Sequence, residues 1–238
     1  MSNKLFNSLI SASIPVLDKS NSIISYGFIL EFSIDEKNAL PFLVLNYNDV
    51  KDLDYAVLGF HAIKDGKKVP YNVSFSKSFI EQSKVNDFII HPIANLFNEA
   101  SSKGVKIECF GMNAKYIIDF DNPQTRSIED LHYAVYKLIN GNFVPIIKKT
   151  YNSTLFYEGN REYFLIEDNG VSVYGFPVVI ANEGAFYNGK DLCVGTRVLF
   201  AGFATKSIDG MIVINYPYSL MSSIREKFAN LFSTYKIQ

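Results

Sequence analysis

The feature that most constrains the fold of this chain is a series of short apolar runs separated by turn-forming residues. Many of the runs alternate apolar with polar or small residues, as half-buried strands do. The runs cover residues 26–32, 41–47, 55–63, 106–112, 115–120, 163–167, 176–181, 197–205 and 210–216. Between them lie turn signals such as DEKN, KDGKK, DNPQ, INGN and YNGK. This spacing predicts a mainly β protein, built as an antiparallel sandwich or barrel.

The composition agrees with that prediction. Aromatic residues make up 15% of the chain, with 20 Phe and 15 Tyr, and these residues favour strands. The chain has 238 residues and is 48% hydrophobic, which is enough for one large domain or two small ones.

Two segments have helical periodicity instead. In residues 90–104 apolar side chains recur every three or four positions, and Gly104 is a natural C-cap. Residues 217–235 begin with Pro217 and carry an apolar stripe, which consists of Leu220, Ile224, Phe228 and Leu231. We expect this C-terminal helix to pack on the β structure, in preference to presenting its stripe to a partner.

Charge and cysteine content exclude several classes of protein. The formal net charge is −1 and the basic residues are dispersed, which argues against a nucleic-acid partner. There is no Gly-rich phosphate loop and no Cys/His cluster, so we expect no cofactor and no metal. Cys109 and Cys193 lie in apolar surroundings and are expected to be buried thiols. The N-terminal segment is too polar for a signal peptide and too short for a membrane span, which predicts a cytoplasmic protein without membrane contact.

Three places in the chain carry a resemblance to a known family. The first is SYGFILEF (25–32), followed after some ten residues by PFLVLNYNDVKD. The second is IIHPIANLF (89–97), and the third is FLIE (164–167) followed by SVYGFPV (172–178). In this order the three strings resemble the bacterial trypsin-like peptidases, which are double β-barrel serine proteases related to chymotrypsin.

The resemblance implies a division of the chain into two barrels. Residues 1–120 would form an N-terminal antiparallel β-barrel of trypsin-like type and residues 121–216 a C-terminal one. Residues 217–238 would be a helix packed on both. The boundary would fall in the polar stretch DNPQTRS, residues 121–127.

The resemblance also places the family's catalytic triad, and all three positions are changed here. The histidine of the family falls on Asn48, the orienting aspartate on Asn95 and the nucleophilic serine on Tyr174. An asparagine amide does not take up a proton near neutral pH, as histidine does. Changing Asp to Asn alone in a working protease of this type costs about four orders of magnitude in turnover. Loss of both nucleophile and base typically costs on the order of a millionfold.

The resemblance therefore predicts a catalytically inactive trypsin-like protein, a pseudoprotease that binds, scaffolds or regulates a protein or peptide partner. The candidate groove consists of Asn48, Asn95, Tyr174, Gly175 and Phe176. This groove is either open to an extended peptide or filled by Tyr174 and Phe176. Strand addition in it would need no chemistry, because main-chain hydrogen bonds supply the affinity.

Other interpretations remain open at the level of sequence. Asn48 is also typical of a plain turn, Asn95 of a solvated helix position, and Tyr174 of an ordinary tyrosine on a β structure. A divergent hydrolase could pair Cys109 with one of the histidines, which are His61, His91 and His132. Asp119 and Asp121 could form a carboxylate pair on one side of a strand. The chain could also be an unrelated all-β structural component.

Overall fold

The structure is a computed structural model, and it describes residues 3–117, 131–139, 142–150, 152–158, 161–168, 170–188 and 191–237. The helices are α1 (Asn3–Ala12), α2 (Tyr47–Val50), α3 (Lys77–Gln82), α4 (Ala94–Ser102), α5 (Pro217–Lys227) and α6 (Ala229–Tyr235). The strands of the first half are β1 (Ile14–Leu17), β2 (Ile23–Ser33), β3 (Ala39–Asn46), β4 (Tyr55–Lys64), β5 (Lys67–Ser76), β6 (Lys84–Val85), β7 (Phe88–Pro92), β8 (Val105–Glu108) and β9 (Met112–Asn113). The strands of the second half are β10 (Leu131–Ile139), β11 (Asn142–Thr150), β12 (Asn152–Glu158), β13 (Arg161–Glu167), β14 (Pro177–Asn188), β15 (Asp191–Ile208) and β16 (Met211–Asn215).

The strands form two sheets, one in each half of the chain. The first sheet has the order β5-β4-β1-β2-β3-β7-β6, with β8 beside β4 and β9 beside β2. The second has the order β11-β10-β14-β15-β16-β13-β12. Nearly all pairs are antiparallel, and β2 with β9 is a parallel one. The prediction of a mainly β, antiparallel protein is confirmed.

The first sheet contains the strand order of a Greek key. In it β4 lies beside β1, and β2 and β3 follow, which is the 4-1-2-3 order. In the second sheet β14 lies beside β10, β10 pairs with β11, and β12 pairs with β13. Strands β11 and β12 lie at the two ends of this sheet's strand order. The strand pairs of the described residues do not close either sheet into a barrel, and the arrangement as two barrels stays a prediction.

Sequence patterns explain the individual strands. In β4 the burial alternates because Ala56, Leu58, Phe60 and Ala62 point inward. By contrast β3 (ALPFLVLN) is buried from Leu40 to Leu45, as a strand covered on both faces should be. Asp65 and Gly66, both with positive φ, turn β4 into β5, which is the geometry of a tight hairpin. Lys64 on one side of this turn belongs to β4, and Lys67 and Lys68 on the other side belong to β5.

The two sheets share their core. Phe28 of β2 lies 5.4 Å from Phe200 and 5.6 Å from Phe203, both on β15, between ring centroids. The same apolar cluster includes Leu220, Ile224 and Phe232 of the C-terminal helices. A second cluster lies within the first sheet, where it is covered by α2, α3 and α4. A third fills the second sheet and includes Tyr26 of β2.

The helices differ in detail from their predicted ranges. The helix predicted over residues 90–104 begins only at Ala94, because residues 88–92 pair with β3 as strand β7. The helix predicted over residues 217–235 is interrupted at Phe228, where α5 ends and α6 begins. Its apolar stripe packs on the core, as predicted. The predicted boundary at 121–127 lies outside the described residues. Within the described residues, no helix combines the length and the hydropathy that a membrane span requires.

Candidate functional site

The candidate site is centred on the Tyr174 turn, residues 170–176, which links β13 to β14. The start of the turn is held by Asp168, whose Oδ1 accepts a hydrogen bond of 2.8 Å from the Val171 N–H. The Tyr174 hydroxyl donates back to the Val171 carbonyl at 3.2 Å. The phenol is therefore half-buried and engaged within its own turn.

Gly175 allows the turn to lie directly on strand β2. Its φ is +100°, and a Cβ at this position would overlap the Tyr26 carbonyl oxygen. The Tyr26 N–H donates to the Tyr174 carbonyl at 2.8 Å, and the Gly175 N–H donates to the Ala204 carbonyl at 3.0 Å. The turn is thus clamped between β2 of the first sheet and β15 of the second.

A serine and an aspartate next to the clamp connect it to helix α2. The Ser25 hydroxyl lies 2.6 Å from Asp49 Oδ2 and 3.3 Å from the Tyr174 carbonyl oxygen. A hydroxyl has one proton to donate, so the shorter contact to the carboxylate is the hydrogen bond. Burial raises the pKa of Asp49, and the hydrogen bonds from Ser25 and Asn46 oppose that change. Neither residue was singled out in the sequence.

Asn48 precedes Asp49 on this helix and is exposed. The helix begins after Asn46, whose side chain accepts a hydrogen bond of 3.1 Å from the Asn48 N–H, as an N-cap does. Asp49 is hydrogen-bonded to Ser25, whose hydroxyl oxygen lies 3.3 Å from the Tyr174 carbonyl oxygen, so α2 lies near the Tyr174 turn. The structure places two of the three predicted positions, Asn48 and Tyr174, on neighbouring elements.

Asn95 is placed differently. It is an exposed residue in the first turn of α4, and this helix is tied to β3 through the Ile93 N–H and the Pro41 carbonyl at 3.0 Å. Within the ranges that the structure describes, no hydrogen bond joins Asn95 to the α2 helix or to the Tyr174 turn. The main-chain carbonyl of Asp87 accepts a hydrogen bond of 2.9 Å from the Tyr47 N–H of α2. Asp87 immediately precedes β7, which pairs with β3.

Phe176 belongs to the core of the second sheet. It is 0% exposed and stacks on Tyr133 with ring centroids 4.5 Å apart. Its ring also meets Tyr26 edge-on at 6.0 Å. The predicted groove residues therefore divide into structural ones, Gly175 and Phe176, and the more accessible Asn48, Asn95 and Tyr174.

An open cavity of about 310 Å³ adjoins the turn. Val171, Ser172 and Val173 form one wall, and residues of β2, β10 and β11 form the others. Lys137 and Lys148 both line it, which gives the cavity a basic side. Neither Ser172 nor Val173 donates a main-chain hydrogen bond to another described residue. This wall can therefore offer main-chain groups to a ligand.

The local geometry does not favour a Cys/His hydrolase or a metal site. Burial raises the pKa of the Cys109 thiol to about 12, and Glu31 adds to the effect, so the nucleophilic thiolate is scarce at neutral pH. His61 contacts the Tyr136 hydroxyl, and His91 contacts the Ser83 hydroxyl and the Phe79 ring. Asp119 and Asp121 lie outside the described residues. Searched over the described ranges, His, Cys, Asp and Glu side chains form no group suited to hold a metal ion.

No protein-family model matches this chain, and no curated protein matches it either.

Proposed function

We propose that the chain is a non-catalytic protein with a trypsin-like frame, and that it binds a protein or peptide partner beside the Tyr174 turn. The observation that carries the proposal is the contact between this turn and the α2 helix through Ser25 and Asp49. Residues 48 and 174 are far apart in the chain, and the resemblance requires the regions around them to lie close together.

The connectivity of the sheets also supports a trypsin-like frame. A double-barrel protease consists of two β units of one kind in a single chain. Here two largely antiparallel sheets lie one in each half of the chain, and the first has the 4-1-2-3 order of a Greek key. The Tyr174 turn lies where the two sheets meet, with main-chain hydrogen bonds to β2 and to β15.

The orienting position of the triad stays with Asn95 in this proposal. In a triad this group must lie within hydrogen-bond reach of the base. Asn95 is in the first turn of α4, and its amide supplies no negative charge to hold an imidazolium. The frame would then lack the base, the orienting acid and the nucleophile.

The remaining groups do not replace the lost chemistry. The Ser25 hydroxyl is 0% exposed, so a substrate cannot reach it. A tyrosine hydroxyl needs a neighbouring base to become a nucleophile. The Tyr174 hydroxyl instead donates to a carbonyl of its own turn. Binding is the function that this arrangement supports best.

The catalytic part of the proposal is tested by activity and by restoration. The natural protein should not hydrolyse casein or peptide esters, and a fluorophosphonate probe should not label it. The triple variant N48H/N95D/Y174S should gain weak esterase activity and be labelled at residue 174. The matched control N48H/N95D/Y174A supplies the base and the acid without the nucleophile and should stay inactive. Turnover by the natural protein would contradict the proposal and favour a divergent hydrolase.

The binding part is tested by pull-down from the native cell. V173D adds a charge to the cavity wall, and V144D makes the same change on β11, where Val144 is 38% exposed. We expect V173D to lose a partner that the natural chain and V144D both retain. Circular dichroism of the two variants controls for folding. A partner that is retained by both variants binds elsewhere on the molecule.

A further inference from the structure

A second cavity, remote from the Tyr174 turn in sequence, lies at the junction of the two sheets. Its volume is about 240 Å³, and its walls include Glu31 of β2, Phe110, Gly111 and Met112 around β9, Tyr116, and Phe200 of β15. The Phe200 N–H donates to the Tyr116 carbonyl at 2.8 Å, and the Ala114 N–H donates to the Glu31 carbonyl at 2.8 Å. Main-chain hydrogen bonds therefore fix the walls before any ligand arrives.

The unusual group in this cavity is the Glu31 carboxyl. It is half-buried, and its side chain makes no hydrogen bond or ion pair with any described residue. Burial raises the pKa of Glu31, and no neighbouring charge opposes that change. No lysine or arginine lies among the described residues that line the cavity. Among the residues that the structure describes, none supplies a cation to this carboxylate.

Gly111 makes room for the carboxyl. A Cβ at this position would overlap the Glu31 carboxyl group where it now lies, and the flexible glutamate side chain would have to move aside. Glycine at 111 therefore leaves space for the carboxyl of β2 beside the segment that leads into β9.

The other walls suit a cation as well. Phe110, Tyr116 and Phe200 are three aromatic residues among those that line the cavity, and ring faces attract ammonium groups through their quadrupole. Met112 contributes a polarisable thioether. Phe200 is 1% exposed and Tyr116 is 50% exposed, so the cavity runs from the core to a wall that reaches solvent.

We propose that this cavity binds an alkylammonium group, with Glu31 as the counter-ion and the aromatic rings as its walls. The group could belong to a free organic amine or to a lysine side chain of a protein. Both present the same chemistry to the cavity. The proposal rests on this cavity alone and does not depend on the function proposed for the Tyr174 turn.

Two matched pairs of probes test the proposal by isothermal titration or by NMR line broadening. Choline is compared with 3,3-dimethylbutanol, which has the same shape without the charge. A lysine hexapeptide is compared with one in which norleucine replaces lysine. We expect saturable binding of at least one cationic probe and at least about tenfold weaker binding of its neutral counterpart. Tighter binding of the peptide indicates a protein lysine as the natural ligand, and tighter binding of choline indicates a free amine.

The variants E31Q and F110L then assign the binding to the cavity. E31Q should weaken it at least about tenfold and F110L by about three- to tenfold, because each removes one of the two attractions. E36Q makes the same charge change at an exposed site outside the cavity and should bind as the natural chain does. Absence of saturable binding, equal affinity for charged and neutral probes, or full affinity in E31Q would each overturn the proposal. Circular dichroism and the unfolding midpoint verify that each variant is folded.

Discussion

At the scale of single residues, Gly175 is a position where the backbone tolerates little change. G175A should cost about 2–4 kcal/mol of unfolding free energy, because it adds strain at positive φ to an overlap with the Tyr26 carbonyl. G210A is the matched control, since Gly210 also has a positive φ, +76°, but nothing within 4 Å of its added Cβ. It should cost about 1 kcal/mol. Urea denaturation measures both, and equal losses would contradict the close approach of the turn to β2.

The unpaired Glu31 predicts a dependence of stability on pH. Its folded-state pKa is raised, so the folded protein holds this proton more tightly than the unfolded chain does. Protonation of Glu31 therefore stabilises the folded state. This stabilisation is fully present below the pKa of the unfolded chain, near 4.5, and is lost as the pH rises through the pKa of the folded protein. E31Q should therefore be more stable than the natural chain at pH 7, by up to about 1 kcal/mol after solvent screening.

The measurement is the difference in urea midpoint between E31Q and the natural chain at several pH values. The difference should shrink towards zero below about pH 4, where both side chains are neutral. E36Q controls for the change in net charge. A stability difference that does not change with pH would show that the buried carboxylate is not its cause.

Residues also show what the sequence could and could not predict. Alternation in β4 and the apolar run of β3 identified strands correctly, because both patterns depend on local burial. The contact of Ser25 with Tyr174 joins positions 149 residues apart, and no local pattern encodes it. Asn95 was assigned from a string of neighbouring residues, whereas its distance from α2 depends on where β7 ends and α4 begins. Helix α1 has too short an apolar pattern to be separated from a loop in the sequence.

At the scale of elements, the two C-terminal helices act as a cover for the first sheet. Phe232 of α6 lies 4.9 Å from Phe32 and 6.0 Å from Phe42 between ring centroids, and it is 6% exposed. F232A should therefore cost about 3–4 kcal/mol. Y235A changes a residue of the same helix that is 44% exposed and should cost less than about 1 kcal/mol. Thermal unfolding followed by circular dichroism compares the two, and a small loss in F232A would mean that the helices are only loosely docked.

At the scale of the whole molecule, one hydroxyl joins the N-terminal helix to both sheets. Tyr136 of β10 donates through its Oη to the Ile10 carbonyl of α1 at 2.7 Å. The same oxygen lies 3.1 Å from His61 Nε2 of β4. Since the hydroxyl proton is already used, His61 must be the donor, which requires a proton on Nε2. Burial lowers the pKa of His61, Lys68 adds to the effect, and the imidazole is accordingly neutral at pH 7.

The contacts of the Tyr136 hydroxyl and the apolar core shared by the two sheets predict that the two halves of the chain unfold together. Y136F removes one buried oxygen and leaves the His61 N–H and the Ile10 carbonyl without their partner, so it should cost about 2–3 kcal/mol. Y55F makes the same change at a residue that is 37% exposed and should be nearly neutral. Hydrogen exchange should show equal losses of protection in β3 and in β16, one strand of each sheet. If Y136F lowers the protection of one sheet only, the two halves unfold as independent units. In that case the Tyr136 hydroxyl stabilises its own sheet and has no effect on hydrogen exchange in the other.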